Sequence, residues 1–109
     1  MPYDAELADR IREVLERRRG ITERKMFGGI CFMANGHMCC GVAGDELMLR
    51  LGNKGAAQAL EDRHARPMDF TGRPMRSMVF LDPAGVRSDG ALKSWVDRAL
   101  GFARSLPPR

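Results

Sequence analysis

The sequence predicts an α+β fold, a single domain over residues 1–109 with helices packed on an antiparallel sheet. Three observations carry that expectation. Asn35-Gly36 lies between two apolar runs, the strongest short-range hairpin signal, because both centre residues of a type I′ turn need positive φ. Gly44-Asp45 offers a second turn, leading into a run, Glu46 to Leu51, that alternates apolar residues. Apolar residues at helical spacing mark both ends of the chain.

The elements follow in order. From about Asp4 to Arg19, Leu7, Ile11, Val14 and Leu15 fall on one face of a helix. Asp4 is its expected cap, Arg17, Arg18 and Arg19 suit the negative end of its dipole, and Gly20 is a good stop. Ile21 to Lys25 reads as a link to Met26-Phe27-Gly28-Gly29, where the glycine pair allows a bulge or a close backbone approach. A two-residue turn at Asn35-Gly36 sets Ala34 opposite His37, Met33 opposite Met38, Phe32 opposite Cys39 and Cys31 opposite Cys40. In that register Cys31, Met33, Met38, Cys40 and Val42 share one face, and Ile30, Phe32, His37 and Cys39 the other. Both faces are largely apolar, as for a central ribbon covered on both sides. Leu47, Leu49 and Leu51 of the next strand share a face, opposite Met48 and Arg50.

Asn53 is the expected cap of a short helix to about Asp62 that buries Ala56, Ala57 and Leu60. The stretch from Arg63 to Arg76 is rich in turn residues and arginine, with a short strand at Met68 to Phe70 and a better one at Met78 to Leu81. Asp82-Pro83-Ala84-Gly85 ends that strand. Ser88 or Asp89 caps the last helix, whose buried stripe is Leu92, Trp95, Val96, Ala99, Leu100 and Ala103, with Pro107-Pro108 as its stop. The order is helix, three strands, helix, two strands, helix.

Composition narrows the classes of function. With 44% apolar and 29% charged residues, the chain has the balance of an ordinary globular domain rather than a disordered one. No apolar run approaches the roughly 18 residues of a membrane span, and the start lacks the basic-then-apolar order of a secretory signal. A cytoplasmic location is therefore expected. Three cysteines, an odd number, fit a reducing compartment rather than a disulfide framework. A formal charge of +4 permits an anionic partner without demanding one.

Chemistry-bearing groups are few. Gly28-Gly29 is not followed by the Lys-Ser/Thr of a phosphate loop, which disfavours a nucleotide site. His37 and Cys39 project to one face while Cys40 projects to the other, and no Cys-x-x-Cys occurs, so neither a metal nor a cofactor is expected. Cys31 and Cys40, in the register above, form a candidate redox pair with Cα atoms roughly 4.5 Å apart. Two free buried thiols are the preferred reading of the same residues. Neither histidine has a visible acid partner and no nucleophile elbow occurs, so no catalytic residue is assigned and the chain reads as a non-enzyme. Arg63, His64, Arg66, Arg73 and Arg76 form a basic cluster in which Asp69 is the acid, Arg73 being better placed to pin its own loop than to hold a ligand.

Two blocks together resemble the N-terminal domain of TfoX-type competence regulators. The first runs Lys25-Met26-Phe27-Gly28-Gly29, then Gly36-His37-Met38, then Asp45 to Arg50; the second holds Phe70, Gly72, Arg73, Pro74 and Met75 within Pro67 to Met75, followed by Leu92 to Leu106 with Trp95. The resemblance spans almost the whole chain and implies an α-β-β-β-α-β-β-α fold. It also implies a positive regulator of natural transformation acting with a cyclic-AMP-responsive transcription activator. Full-length members add a C-terminal helical domain, for which 109 residues leave no room, so a stand-alone N-terminal domain is expected. The expected work is binding of a protein partner, a transcription activator, through the open face or edge of the sheet, whose edge also offers a route to a homodimer. Direct nucleic-acid binding through Arg17, Arg18, Arg19, Arg24, Lys25, Arg66 and Arg76 is one alternative, and a cysteine-based redox or metal role is the other.

Overall fold

The structure, a computed structural model, describes residues 3–26, 28–70 and 72–107, with the side chains of Phe70, Arg73 and Pro74 outside that description. Among these residues three helices and six strands form one α+β layer pair. Helix α1 (Ala5–Leu15) is capped by Asp4, whose Oδ1 accepts from the Glu6 and Leu7 amides at 2.9 and 3.1 Å. It buries Leu7, Ala8, Ile11 and Leu15 and ends with its apolar pattern at Leu15, four residues before the expected end at Arg19, so Arg17, Arg18 and Arg19 stand beyond it. Gly20 closes that turn at φ +75°, its carbonyl accepting from the Asn35 amide.

The segment read as a link is a strand, β1 (Ile21–Met26), antiparallel to β2 (Gly29–Ala34) from Ile21↔Ala34 to Met26↔Gly29. Its Thr22, Glu23, Arg24 and Lys25 are all exposed, so ladder bonds rather than burial hold it, and no apolar alternation announces it. The Asn35-Gly36 turn has positive φ at both residues, 52° and 86°, as the type I′ reading requires. Beyond it β3 (His37–Ala43) begins in the expected register, Ala34↔His37 and Met33↔Met38, then shifts: Phe32 faces Cys40, Cys31 faces Gly41 and Ile30 faces Val42. Cys39 is the extra residue of a β-bulge, which turns Cys40 and Val42 to the face of Ile30 and Phe32. Gly44 (φ +59°) then leads into β4 (Glu46–Arg50).

Helix α2 (Gly52–Ala59) begins without a side-chain cap; its N-cap is Leu51, and Asn53 already lies inside the first turn. It buries Ala56 and Ala59, while Ala57 and Leu60 face outward, correcting the expected stripe by one position along the helix. The turn-rich arginine stretch is mostly a long hairpin, β5 (Ala65–Phe70) and β6 (Arg73–Leu81). Strand order is β1-β2-β3-β4-β6-β5, every neighbouring pair antiparallel. Pro67 is tolerated because β5 is an edge, and Pro74 because β6 pairs with β4 only from Met78 onward. A 3-10 turn (Pro83–Val86) capped by Asp82 precedes α3 (Asp89–Ser105), capped by Ser88 Oγ on the Ala91 amide. The six stripe residues from Leu92 to Ala103 are all buried, as expected. Pro108 lies outside the described residues.

Two apolar layers result. All three helices contribute to one cluster, with Ile30, Phe32, Cys39, Cys40, Val42, Leu47 and Leu49 from the sheet. On the other face Cys31, Met33, Met38, Met48, Met68, Met78 and Phe80 are buried together, with Met26 and Met75 against them. No helix among the described residues is long and apolar enough to cross a membrane.

Candidate interaction surface

The thiols are withdrawn from solvent. Cys31, Cys39 and Cys40 are free and fully buried. Burial pushes the Cys31 thiol up to about 11, and Cys40 rises well above its usual value through a hydrogen bond to Cys39 and its own burial. Because of the bulge, Cys31 sits in the methionine layer and Cys40 under the helices. The expected Cys31–Cys40 redox pair is thereby corrected, since the two thiols point to opposite faces. His37 Nε2 meets the Pro107 carbonyl at 2.5 Å, tying the end of the chain to the start of β3.

His64 does have an acid partner. Its Nδ1 lies 3.0 Å from Asp82 Oδ1, brought there because the start of β5 pairs with the end of β6, Ala65↔Leu81. Asp82 also accepts from the Gly85 amide at 2.9 Å, and a β-carbon on Gly85 would stand 2.7 Å from His64 Cβ. Burial pushes the Asp82 carboxyl upward, but the Gly85 amide and the His64 ring, helped by the Ala84 amide, outweigh it and hold the group low. The pair locks the 3-10 turn against β5.

The arginines divide into tied and free. Arg18 Nη2 donates to Asp97 at 2.9 Å. Arg66 grips Glu46 with two nitrogens, Nε to Oε2 at 2.9 Å, and its guanidinium lies 4.4 Å from the Phe80 ring centre. Arg12, not singled out from sequence, holds Glu23 of β1 with Nε and Nη2, each at 2.8 Å. Arg17, Arg19, Arg24, Lys25 and Arg76 are exposed and form no ion pair among the described residues. Arg24 and Lys25 are neighbours on one strand and so project to opposite sides of it. Arg24 and Lys25 lie on the β1 edge and Arg66 on the β5 edge, at opposite ends of the sheet.

The residues that carried the family resemblance are turns and packing. Gly28 has φ +72° and Gly72 φ +78°, each at a hairpin tip, and a β-carbon on Gly29 would meet the Val42 carbonyl oxygen at 1.8 Å. Met26, Met38 and Met75 belong to the methionine layer, whereas Phe27 and the Phe70, Arg73 and Pro74 side chains lie outside the described residues. The family model for the TfoX N-terminal domain matches residues 13–103, from within α1 almost to the end of α3. The chain belongs to the TfoX N-terminal domain family. Comparison with curated proteins and with solved structures gave no match.

In this TfoX N-terminal domain the central strands present no open face among the described residues, because the methionine layer is itself buried. Among the described residues the charged β1 edge stays exposed, and a cleft of about 360 Å³ opens between α2 and the β5–β6 hairpin. Ala57, Leu60, Pro67, Met75 and Met78 line that cleft, with Asn53 and Arg76 as its polar groups. Sequence reading buried Leu60 and so missed the cleft; the missing signal was the start of α2, where Leu51 rather than Asn53 is the cap.

Proposed function

We propose that this domain is a non-enzymatic, cytoplasmic regulatory module that works by binding a transcription activator of the cyclic-AMP-responsive class. Family membership over residues 13–103 carries this reading, since it points to a competence-related regulatory domain. The geometry supports it in two ways. The three thiols that a redox role would need are buried, and those of Cys31, by burial, and Cys40, by its hydrogen bond to Cys39 and burial, are pushed up, away from the reactive thiolate form. Among the arginines of the direct nucleic-acid alternative, Arg18 and Arg66 are already paired with acids.

The test is fluorescence anisotropy of labelled duplex DNA across a salt series, with this protein alone and then with the activator added. A tighter activator–DNA complex in its presence, with little binding by the protein alone, is the expected result. Strong, steeply salt-dependent binding by the protein alone would replace the proposal with direct DNA contact. Silence in both arms would remove the co-regulator reading.

A further inference from the structure

We propose that the cleft between α2 and the β5–β6 hairpin is the docking site for an acid-flanked apolar segment, such as one face of an amphipathic helix, of a partner protein. This names the surface through which the regulatory reading above would operate, and it rests on that reading for its biological setting. Four observations converge on it.

Leu60, at 41% exposure, is the large apolar side chain that the described residues leave in solvent, and it stands on the rim of this cleft. An exposed apolar patch edged by polar groups is the usual mark of an interaction site. Met75 is half-buried and Met78 buried at the cleft, so its wall is made of unbranched thioethers that adjust to an incoming side chain. Pro67 supplies a rigid opposite wall on an edge strand where it lacks an N–H to donate, which favours side-chain insertion over strand addition. A cleft of about 360 Å³ holds a few side chains rather than a whole element.

Charge selects the occupant. Arg76 is the charged residue of the lining, and it has no ion-pair partner among the described residues. Arg66, by contrast, is occupied by Glu46. An apolar segment carrying a carboxylate beside its anchor satisfies both features of the cleft. A second copy of this chain does so poorly. Among the described residues the large exposed apolar group it can offer is Leu60 itself, and a twofold contact through that patch would bring Arg76 toward its own counterpart.

The test uses the ¹⁵N-labelled full chain and a synthetic helical peptide of about 14 residues, roughly four turns, with leucines at i, i+3 and i+7 flanked by glutamates. Backbone amide shifts should concentrate at residues 53–60 and 67–78. A matched peptide with lysines in place of the glutamates should bind about tenfold more weakly. Arg76→Glu should invert that preference, and Ala57→Arg, at an exposed position that tolerates the change, should abolish the shifts. Shifts mapping to β1, equal binding of both peptides, or shifts unaffected by Ala57→Arg would each overturn the proposal, as would none at saturating peptide. Sedimentation showing a dimer that Ala57→Arg dissolves would assign the cleft to a second copy instead. The readout needs no activator. A cleft that binds peptide beside an activator that ignores the protein would sink the proposed function and leave the site standing.

Discussion

Gly29 and Gly101 show how differently one added methyl can act in this domain. A β-carbon on Gly29 would overlap the Val42 carbonyl oxygen, backbone that cannot swing aside, so Gly29→Ala should cost at least about 2 kcal/mol in denaturant unfolding. Gly101 lies exposed within α3 with nothing within 4 Å of such an atom, and Gly101→Ala should gain about 0.5–1 kcal/mol. Glu23 sets an acid dependence. Its two bonds from Arg12 hold the carboxyl below its ordinary value of 4.5, against a smaller upward push from burial. The folded value is the lower one, so the stabilisation is present above the unfolded value and disappears as pH falls through the folded value. Both side chains are about 40% exposed, which limits the effect to about 1 kcal/mol. Glu23→Gln should therefore flatten the acid side of a stability–pH curve by that amount. Thiol titration gives a third check: a water-soluble disulfide reagent should label no cysteine in the native protein and all three after unfolding, and fast native labelling would contradict their burial.

Among the elements, the legible ones were those whose local chemistry and tertiary role agree. The α3 stripe, its Ser88 cap and the Asn35-Gly36 turn could all be read directly, because burial, capping and positive φ leave their marks in residue type. Ser88→Ala should cost about 1 kcal/mol, read from the thermal midpoint. β1 was not legible, since an edge strand of Thr-Glu-Arg-Lys carries no burial pattern and exists through its partner. The bulge at Cys39 was not legible either, because two adjacent cysteines look alike and nothing local says which is extra. Its position makes a sharp expectation. Deleting one of the two cysteines restores a regular ladder with every other pairing intact, so such a variant should still unfold cooperatively. Deleting Cys31 from the regular part of β2 would invert the faces of everything before it, and should not yield a folded chain.

For the molecule as a whole, fold class and family were readable while the surface was not. Clefts depend on which side chain of a short helix turns outward, and a one-position difference at α2 moved Leu60 from the expected core to the rim of the one strongly apolar opening described above. The sheet's two ends are guarded differently, β1 by charge and β5 by Pro67. Replacing Glu23, Arg24 and Lys25 together by valine should leave the fold and promote concentration-dependent association, measurable by light scattering. The methionine layer has a consequence of another kind. Every methionine of the described residues belongs to it, five of them buried, with Met26 and Met75 half-open at its margin. A sulfoxide formed at either would push a polar oxygen toward a layer of apolar side chains, loosening its neighbours and exposing the next sulfur in turn. Under peroxide the protein would then age from one side of its sheet inward, at a pace set by two thioethers, while its three thiols waited behind them.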